Sequence, residues 1–331
     1  MKKKIEGNTV KWGIIGVGDV CEVKSAPAMN QITNSKIEAV MRRDAAKAED
    51  YAIRHGIGKW YSDADQLIND HEVNAIYIAT PPVAHLQYTI QAASAGKPVY
   101  VEKPMARTYA ECKQMITACD EAGVPLYTAY YRRALPNFLK VKELVDSGAI
   151  GEIRMVEVRM AKPLEPNIIT HQKNHWRVDP EIAGGGYFYD LASHQLDFLD
   201  YLFGPIVKAS GTKANQARLY PAEDIVVSSF QFESGVLGTG SWCFSTGETS
   251  DKDSTTIIGS EGEISYASFG SNEITLKTDA EGEQRFAFEM PKHIQYPLIK
   301  QVVSDLLGTG NCVSTGISGA RTNQVMEWMI G

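Results

Sequence analysis

The sequence predicts two domains, a doubly wound parallel α/β domain of the Rossmann type followed by an α+β domain with a mostly antiparallel sheet and helices on one side. The chain has 331 residues, more than the roughly 250–300 residues at which one hydrophobic core stops growing. Short apolar runs alternate with helical segments up to about residue 130, as in strand–helix–strand units. Beyond about residue 150, apolar and polar residues alternate singly, a pattern typical of antiparallel strands with one solvated face.

The first part of the chain contains five short apolar runs that read as buried strands, with three helical segments between them. Gly56 ends the first helical segment, and Pro81-Pro82 interrupts the chain after the third strand. The predicted strands are Val10–Ile15, Lys36–Met41, Asn74–Ala79, Val99–Val101 and Pro125–Ala129, and the predicted helices are Ala45–His55, Val83–Ala95 and Tyr109–Ala122.

The second part predicts seven strands and two internal helices. The strands are Ile153–Arg159, Val226–Phe232, Gly235–Phe244, Ser254–Ile258, Glu263–Tyr266, Glu273–Leu276 and Gln284–Phe288, and the helices are Tyr187–Leu202 and Ile294–Leu307. A last helix is predicted over Ser318–Met329. We therefore expect a nucleotide-binding domain over residues 1–130 and a second domain over residues 131–312.

Composition and charge exclude several classes of protein. The net charge is -7 and basic residues are not clustered, which argues against a nucleic-acid or anionic membrane surface. No segment approaches the ~18 consecutive apolar residues of a membrane span, and no signal-peptide pattern follows the first lysines. The five cysteines are scattered without a C-x-x-C pair. Reduced thiols in the cytoplasm are the simplest interpretation.

A glycine-rich turn follows the first strand. Gly16-Val17-Gly18 precedes a helix that would begin at Asp19 and Val20. In a dinucleotide site, the first glycine permits the turn and the second lets the backbone approach a pyrophosphate at the helix N-terminus. Cys21 stands where the full motif has Gly or Ala. The context predicts a dinucleotide site, and the alternative is an ordinary strand-to-helix turn.

The end of the second strand bears on which dinucleotide binds. An NAD site usually has Asp or Glu there for the ribose hydroxyls, whereas this chain has Met41-Arg42-Arg43-Asp44. The guanidinium groups of Arg42 and Arg43 suit a 2′-phosphate and an adenine ring. The pattern favours NADP over NAD. The alternative is two solvated arginines, one of them paired with Asp44.

Two further loops fall at the carboxyl ends of predicted parallel strands, where ligands of such sheets bind. Thr80, Pro81 and Pro82, with His85 behind them, follow the third strand, and Glu102-Lys103-Pro104 follows the fourth. Prolines stiffen these loops, and we expect Thr80 to His85 and Glu102-Lys103 to contact the cofactor. The Lys103 ammonium could stabilise negative charge on a substrate oxygen. The alternative is a solvated surface lysine.

Asp190 and His194 lie four residues apart in the predicted helix Tyr187–Leu202, so on an α-helix they share a face. An imidazole has the intrinsic pKa to exchange a proton with a hydroxyl near neutral pH. Asp190 could orient that imidazole or hold a substrate hydroxyl. The alternative is a carboxylate at a helix start followed by an inert core histidine.

Several of these elements, in their order along the chain, resemble the Gfo/Idh/MocA family of oxidoreductases. They are Glu102-Lys103-Pro104, Trp176-Arg177, Gly184-Gly185-Gly186, Asp190 and His194. The resemblance covers nearly the whole chain, and it implies nicotinamide-dependent chemistry on a sugar or polyol.

The resemblance also implies roles for individual residues. It makes Lys103, Asp190 and His194 a catalytic trio that also contacts the substrate. It brings Trp176 and Arg177 to the nicotinamide end of the cofactor, with Trp176 near the substrate as well. It further implies that the helix near residues 313–330 packs back onto the first domain. It also implies a dimer or tetramer, for which the exposed face of the C-terminal sheet is a reasonable site.

The predicted domain junction carries Tyr130-Tyr131-Arg132-Arg133. Tyr131 or Arg132 could line the substrate pocket there. Packing and ion pairing between elements are the alternative for these residues.

A metal site is a competing interpretation of the same region. His171 and His175, together with Asp190 and His194, are residue types that bind zinc. Pro163 and Pro166 in the preceding segment make a rigid two-histidine helix face less favourable. The chemistry that the family resemblance implies needs no metal. We therefore predict none.

The leading functional hypothesis is hydride transfer between NADP or NAD and a hydroxyl or ketone of a sugar, inositol or related polyol. One alternative is a lyase or glycosidase that oxidises a sugar transiently and regenerates its bound cofactor, because the same residues would serve it. Another is a dinucleotide-binding redox sensor, against which an intact set of Lys103, Asp190 and His194 argues.

Overall fold

The computed structural model describes residues 5–163 and 176–331, and the chain divides into two compact units. The first comprises Met1–Tyr131 with Pro291–Ala320, and the second comprises Arg132–Met290 with Arg321–Gly331. The sequence analysis instead placed all of residues 131–312 in the second domain. The difference at Pro291–Ala320 has a physical reason, since Gln295 hydrogen-bonds two side chains of the first unit's central sheet.

The first unit contains a six-stranded sheet in the order β3-β2-β1-β4-β5-β6. Every strand pair in it is parallel, and this is the doubly wound order of dinucleotide-binding domains. The predicted fold class is confirmed. The strands are β1 Val10–Ile15, β2 Ser35–Met41, β3 Lys59–Tyr61, β4 Ala75–Ile78, β5 Val99–Val101 and β6 Leu126–Thr128, and the helices are α1 Asp19–Val23, α2 Ala26–Gln31, α3 Ala45–His55, α4 Ala64–Asn69, α5 His85–Ser94 and α6 Tyr109–Glu121.

The central strands of this unit are buried at every position of β4 and β5, which is why they appear in the sequence as uninterrupted apolar runs. Helix boundaries follow local chemistry. The Asp44 carboxylate accepts a hydrogen bond from the backbone N–H of Lys47 at the start of α3, and Gly56 ends that helix at a φ of 65°, a conformation that favours glycine.

The second unit contains an eight-stranded sheet in the order β14-β13-β12-β11-β7-β10-β9-β8. Only β7 and β10 pair in parallel, and the other described neighbours are antiparallel. The strands are β7 Ile153–Pro163, β8 Ile206–Ala214, β9 Ile225–Phe232, β10 Leu237–Thr246, β11 Lys252–Gly259, β12 Gly262–Tyr266, β13 Glu273–Thr278 and β14 Gly282–Ala287, and the helices are α7 Pro136–Asp146, α8 Pro180–Ala183 and α9 Ser193–Phe203.

One face of this sheet packs against helices through aromatic side chains. The Phe188 ring centroid lies 5.1 Å from that of Trp242 on β10, and the Phe138 and Phe198 centroids of α7 and α9 are 4.7 Å apart. Trp242 and Phe198 are almost fully buried. The opposite face is largely solvated, as the single alternation in the sequence predicts.

Two helices complete the chain, α10 at Tyr296–Leu306 and α11 at Gly316–Ile330. A Cβ added to Gly319 would overlap the Thr128 side chain at the end of β6, so glycine lets the start of α11 approach the first unit's sheet closely. Within residues 5–163 and 176–331, no helix combines the length and the hydropathy that a membrane crossing requires.

Candidate functional site

The loop after β1 depends on Gly16. Its φ is 95°, and an added Cβ would lie 2.7 Å from Cγ2 of Thr80. Its backbone N–H donates to the carbonyl of Met41 at 2.9 Å, which ties the loop to the end of β2. Any other residue would be strained by its backbone and would collide with the loop after β4. Glycine at position 16 is therefore a structural requirement.

Gly18 has a different reason to be glycine. Its φ is -133°, which any residue adopts, and no heavy atom of residues 5–163 or 176–331 lies within 4 Å of an added Cβ. The described part of the chain thus leaves the space beside Gly18 open at the N-terminus of α1, where Asp19 and Val20 begin the helix. Backbone amides at a helix start suit a phosphate group.

The end of β2 meets the same loop through Arg42. Its Nη1 donates to the carbonyl oxygen of Val17 at 3.1 Å, whereas the neighbouring Arg43 is exposed. Asp44 caps α3 and lies 3.4 Å from the Lys47 ammonium, so its carboxylate serves the helix. Arg42 therefore places a positive charge beside the glycine loop, at the position where dinucleotide-binding domains discriminate between adenosine riboses.

The loop after β4 contains Thr80, the half-buried Pro81 and the buried Pro82. The Thr80 hydroxyl is buried and has no hydrogen-bond partner among the described residues. His85 is fully buried, and its Nδ1 and Nε2 face the carbonyls of Met105 and Thr80 at 3.1 and 2.8 Å. Burial lowers the pKa of this imidazole. A neutral imidazole carries one N–H, so His85 donates to one of these two carbonyls and lies packed between the loops. Its expected contact with a cofactor stays a prediction.

Glu102 also has a supporting position. Its Oε1 accepts hydrogen bonds from the hydroxyl of Tyr77 at 2.6 Å and from Nε2 of Gln295 at 2.7 Å. Its Oε2 accepts from the backbone N–H of Lys103 at 3.2 Å. The carboxylate is buried within the first unit, and its bond to the backbone of Lys103 anchors that half-buried residue. The expected contact of Glu102 with a cofactor stays a prediction. Burial, with the nearby Glu102 charge, raises the pKa of Tyr77 well above its ordinary value.

In the second unit, packing explains two of the three glycines that precede Asp190. An added Cβ on Gly185 would overlap the Tyr189 ring, and one on Gly186 would lie 2.8 Å from Cβ of Ala222. The Gly186 N–H donates to Oε1 of Glu223 at 3.0 Å. Burial raises the pKa of the Glu223 carboxyl. These glycines let the site helix begin against the loop before β9.

Asp190 and His194 lie at the start of that helix, but its winding differs from the prediction. Phe188–Ala192 forms a π-helical turn before α9, so the shared-face argument based on α-helical spacing does not apply unchanged. Such turns are frequent at functional sites. Asp190 Oδ2 lies 3.5 Å from Nε of Arg177, and the Arg177 guanidinium stacks over the Trp176 ring at 4.3 Å.

His194 is 2% exposed, and its ring centroid lies 5.8 Å from that of Phe269, nearly edge-on. Sequence reasoning did not identify Phe269, which follows β12 and carries no motif. The structure thus brings Trp176, Arg177 and Asp190 together in the second unit and places His194 in the helix that follows. His171 and His175, which the alternative metal site needs, lie outside the described residues.

The residues at the predicted junction are buried. Tyr131 is 9% exposed and begins a 3₁₀ turn. Arg132 donates from Nε and Nη2 to the Ser268 carbonyl at 2.9 and 2.8 Å. Arg133 forms a buried ion pair with Asp197 at 2.7 Å. Ion pairing and packing therefore account for the two arginines, and Tyr131 stays a prediction.

The first unit fits a nicotinamide dinucleotide on three observations. They are the open space at Gly18, the positive charge of Arg42 beside the loop, and the buried hydroxyl of Thr80 that lacks a partner within the described chain. A pyrophosphate would use the backbone at Gly18, Asp19 and Val20, and the adenosine end would use Arg42 and Arg43.

Comparisons with known proteins agree with this fit. Residues 10–130 match the family model described as oxidoreductase family, NAD-binding Rossmann fold, and residues 138–265 match the GFO/IDH/MocA C-terminal domain. Oxidoreductase P35 of Formosa agariphila is 39% identical over 97% of this chain and 98% of its own length. The resemblance predicted from the sequence is confirmed.

Two further relatives are more distant. The 1,5-anhydro-D-fructose reductase of Ensifer adhaerens is 28% identical over 93% of this chain and 92% of its own. The crystal structure of the WlbA dehydrogenase of Bordetella pertussis, in complex with NADH and UDP-GlcNAcA, has a TM-score of 0.83 and is 26% identical, covering 98% of this chain and 95% of that one.

Proposed function

The chain belongs to the GFO/IDH/MocA family of oxidoreductases, whose first domain binds NAD, and from this premise we propose that it transfers a hydride between a nicotinamide and a hydroxyl or ketone of a sugar, inositol or related polyol. The single observation that carries the proposal is the loop at Gly16 and Gly18. There Gly16 permits the turn, and Gly18 leaves space for a ligand among the described residues.

The substrate class is supported by two relatives of nearly full length. The Ensifer adhaerens enzyme is named for 1,5-anhydro-D-fructose, and the Bordetella pertussis dehydrogenase was solved with a nucleotide sugar. Both molecules offer a secondary hydroxyl or a ketone on a sugar ring. A compound with that group is the substrate class we assign to this chain.

The choice between the two nicotinamide dinucleotides rests on the end of β2. Met41 is followed by Arg42 and Arg43, and Asp44 is engaged at the start of α3. A site with a guanidinium and no free carboxylate suits the 2′-phosphate of NADP, and we propose NADP as the preferred cofactor. A larger thermal shift with NAD than with NADP would contradict this preference.

The chain's own residues would handle the substrate oxygen and its proton. The bound nicotinamide supplies or accepts the hydride. His194 exchanges the proton of the reacting hydroxyl, and Lys103 stabilises negative charge on that oxygen. Asp190 holds a neighbouring hydroxyl or orients the imidazole, and Arg177 holds its carboxylate in place.

The experiment is a turnover assay with a panel of sugars, inositols and polyols, read as the near-ultraviolet absorbance of reduced nicotinamide. Net accumulation of the reduced cofactor from one substrate class supports a dehydrogenase. Product formation without net absorbance change supports the alternative of a lyase or glycosidase with a recycled cofactor. Cofactor binding with no turnover of any substrate supports a sensor and contradicts the proposal.

We also propose that the protein forms a homodimer or homotetramer through the open face of the C-terminal sheet. Val227 on β9 and Leu237 on β10 are 50% and 57% exposed, and neighbouring positions carry small hydroxyl side chains such as Ser229 and Thr239. Val227→Lys would place a charge on that face. Light scattering should show dissociation of this variant, and an unchanged mass would contradict the proposed interface.

The cellular location is proposed on the cysteines. All five are free thiols in the structure, and Cys21 is fully buried, which raises its pKa to about 12. Thiols of this kind persist in a reducing compartment, so we assign the protein to the cytoplasm. Fractionation of the source cells tests this assignment.

A further inference from the structure

We propose that Phe269 is a positioning residue for His194, held in place by Arg132 and Asp253. The inference rests on the proposed proton transfer by His194 and adds to it the group that fixes the imidazole. Phe269, Arg132 and Asp253 belong to no sequence motif, and they lie with His194 in the second unit.

The Phe269 ring contacts two other side chains, those of His194 and Arg132. The His194 imidazole meets it at a centroid distance of 5.8 Å and an interplanar angle of 74°. The Arg132 guanidinium carbon lies 4.1 Å from the Phe269 ring centroid, within the range of a cation–π interaction. Arg132 is only 4% exposed, so this contact forms away from water, where it is strongest.

The backbone around Phe269 is fixed by the same two charged residues. Arg132 donates two hydrogen bonds to the carbonyl of Ser268, and the N–H of Phe269 donates to Oδ2 of Asp253. The guanidinium and the carboxylate therefore hold the two ends of the single peptide group that joins Ser268 to Phe269. Such charge-assisted hydrogen bonds are about twice as strong as neutral ones, so the loop carrying the ring is clamped from both sides.

Asp253 connects this clamp to the residue beside His194. Its Oδ1 accepts from Nε2 of Gln195 at 3.2 Å, and Oε1 of Gln195 accepts from Nε1 of Trp242 at 2.7 Å. Gln195 is 1% exposed and Trp242 is fully buried. The helix turn that carries His194 and the loop that carries Phe269 are thus joined through one carboxylate. Burial raises the pKa of Asp253, and its backbone hydrogen bonds from Phe269 and Ser268 lower it in part.

This arrangement determines what Phe269 does for the reaction. A proton-transferring imidazole must keep its ring direction within narrow limits, because a displacement of about 1 Å can lower a rate by about a hundredfold. Phe269 has no group that could exchange a proton or hydrogen-bond a substrate. It provides a packing surface that keeps the imidazole ring of His194 in one direction, and Arg132 and Asp253 keep that surface in place.

The test compares Phe269→Leu, which removes the aromatic ring, with Phe269→Tyr, which keeps it. We expect Phe269→Leu to lower kcat by about tenfold to a hundredfold with little change in the KM for the cofactor, and Phe269→Tyr to recover most of the rate. Phe203→Leu is the matched control, since Phe203 lies in the same unit and packs edge-on against Phe232 at 5.3 Å. It should leave kcat unchanged.

A second readout needs no turnover. The ring current of Phe269 shifts the imidazole proton resonances of His194, which are assigned by their loss in His194→Gln. Phe269→Leu should move these resonances in the cofactor-free protein, and Phe203→Leu should not. Where Phe269→Leu unfolds more readily than the control, Phe269→Met replaces it because it retains more side-chain volume.

The outcomes separate this inference from the proposed function. Unchanged kcat and unchanged imidazole resonances in Phe269→Leu, with His194→Gln inactive, would overturn the positioning role alone. Full activity of His194→Gln would overturn the proposed function and with it the premise of the inference. A rate loss shared equally by Phe269→Leu and Phe269→Tyr would also count against it, because the ring would then not be the deciding feature.

Discussion

Gly18→Asp is the sharpest perturbation that the structure offers for the cofactor site. The position has an ordinary φ of -133°, and among the residues that the structure describes no heavy atom lies within 4 Å of an added Cβ, so these residues accommodate the side chain. Gly18 is also the N-cap of α1, where Asp is at least as favourable as Gly. We therefore expect the free energy of unfolding to change by less than about 0.5 kcal/mol.

Cofactor binding should respond quite differently. The new carboxylate would stand where the pyrophosphate approaches the backbone, and two like charges about 6 Å apart repel by about 3 kcal/mol at an effective dielectric constant near 20. That energy corresponds to a loss of about a hundredfold in affinity. Any backbone hydrogen bond that the pyrophosphate loses adds to this value.

The assay is titration calorimetry of NAD and NADP with the wild-type protein, Gly18→Asp and Gly58→Asp. Gly58 is a matched control because it also has open space around an added Cβ and brings the same change in net charge. It precedes β3, so it lies at the amino ends of the parallel strands, away from the carboxyl ends where cofactors bind. A Gly18→Asp variant that folds normally and keeps the wild-type Kd would refute a pyrophosphate on this loop.

Three further predictions concern buried charge and buried hydroxyl groups. Asp197→Leu leaves Arg133, 3% exposed, with only the longer 3.5 Å contact to Asp200, a carboxylate that Arg321 also binds. It should cost about 3 kcal/mol in chemical denaturation, whereas a cost below about 1 kcal/mol would contradict a buried pair. Burial raises the pKa of Asp70, but hydrogen bonds from Lys59, the Glu72 N–H and Tyr61 lower it to about 2. The folded pKa of Asp70 is thus below the unfolded value of 3.8, so this carboxylate stabilises the fold above that pH, and its contribution is lost as the pH falls toward about 2. The shift corresponds to about 2 kcal/mol of stability, reduced to about 1 kcal/mol by solvent near the part-exposed Lys59. Asp70→Asn should lose this pH dependence of stability in acid denaturation. Thr80→Val removes a buried hydroxyl that has no partner in the described chain, so it should not lower Tm. If the cofactor hydrogen-bonds that hydroxyl, the variant should bind the cofactor severalfold more weakly. An unchanged affinity would exclude this contact.

The elements that the sequence predicts well are those whose environment imposes one clear pattern. Strands β1, β4 and β5 are buried on both faces and read as continuous apolar runs. Strand β8 escaped prediction because seven of its nine positions are exposed, so no apolar alternation marks it. The short edge strand β3 has only three residues, too few for a period to emerge.

The candidate site could be predicted only in part, because a sequence names the residues of a loop but not the direction of each side chain. Gly16 and Gly18 were identified with a separate reason for each, the turn at Gly16 and the backbone approach at Gly18. The sequence placed His85 and Glu102 in the loops of the site, but it could not show that His85 lies between two carbonyls or that Glu102 accepts a hydrogen bond from Tyr77. Phe269 was missed because it contacts His194 across 75 residues of sequence with no motif to connect them.

The same limit explains the π-helical turn at Phe188–Ala192. The apolar spacing of residues 187–202 fits an α-helix, and no local signal marks the wider turn. Its position between the packed glycines and α9 shows that close tertiary packing sets the winding there. A prediction from periodicity alone gives the helix and its face approximately, and the packing determines where Asp190 lies.

The central claim is that a nicotinamide bound in the first unit reacts with a substrate hydroxyl whose proton and charge are handled by Lys103 and His194. The most direct measurement is single-turnover absorbance of reduced nicotinamide in Lys103→Met and His194→Gln, with the Kd for the cofactor measured on the same samples. We predict that both variants bind cofactor with nearly wild-type affinity and reduce or oxidise it several orders of magnitude more slowly. Wild-type single-turnover rates in either variant would contradict the role of that residue, and wild-type rates in both would contradict the claim.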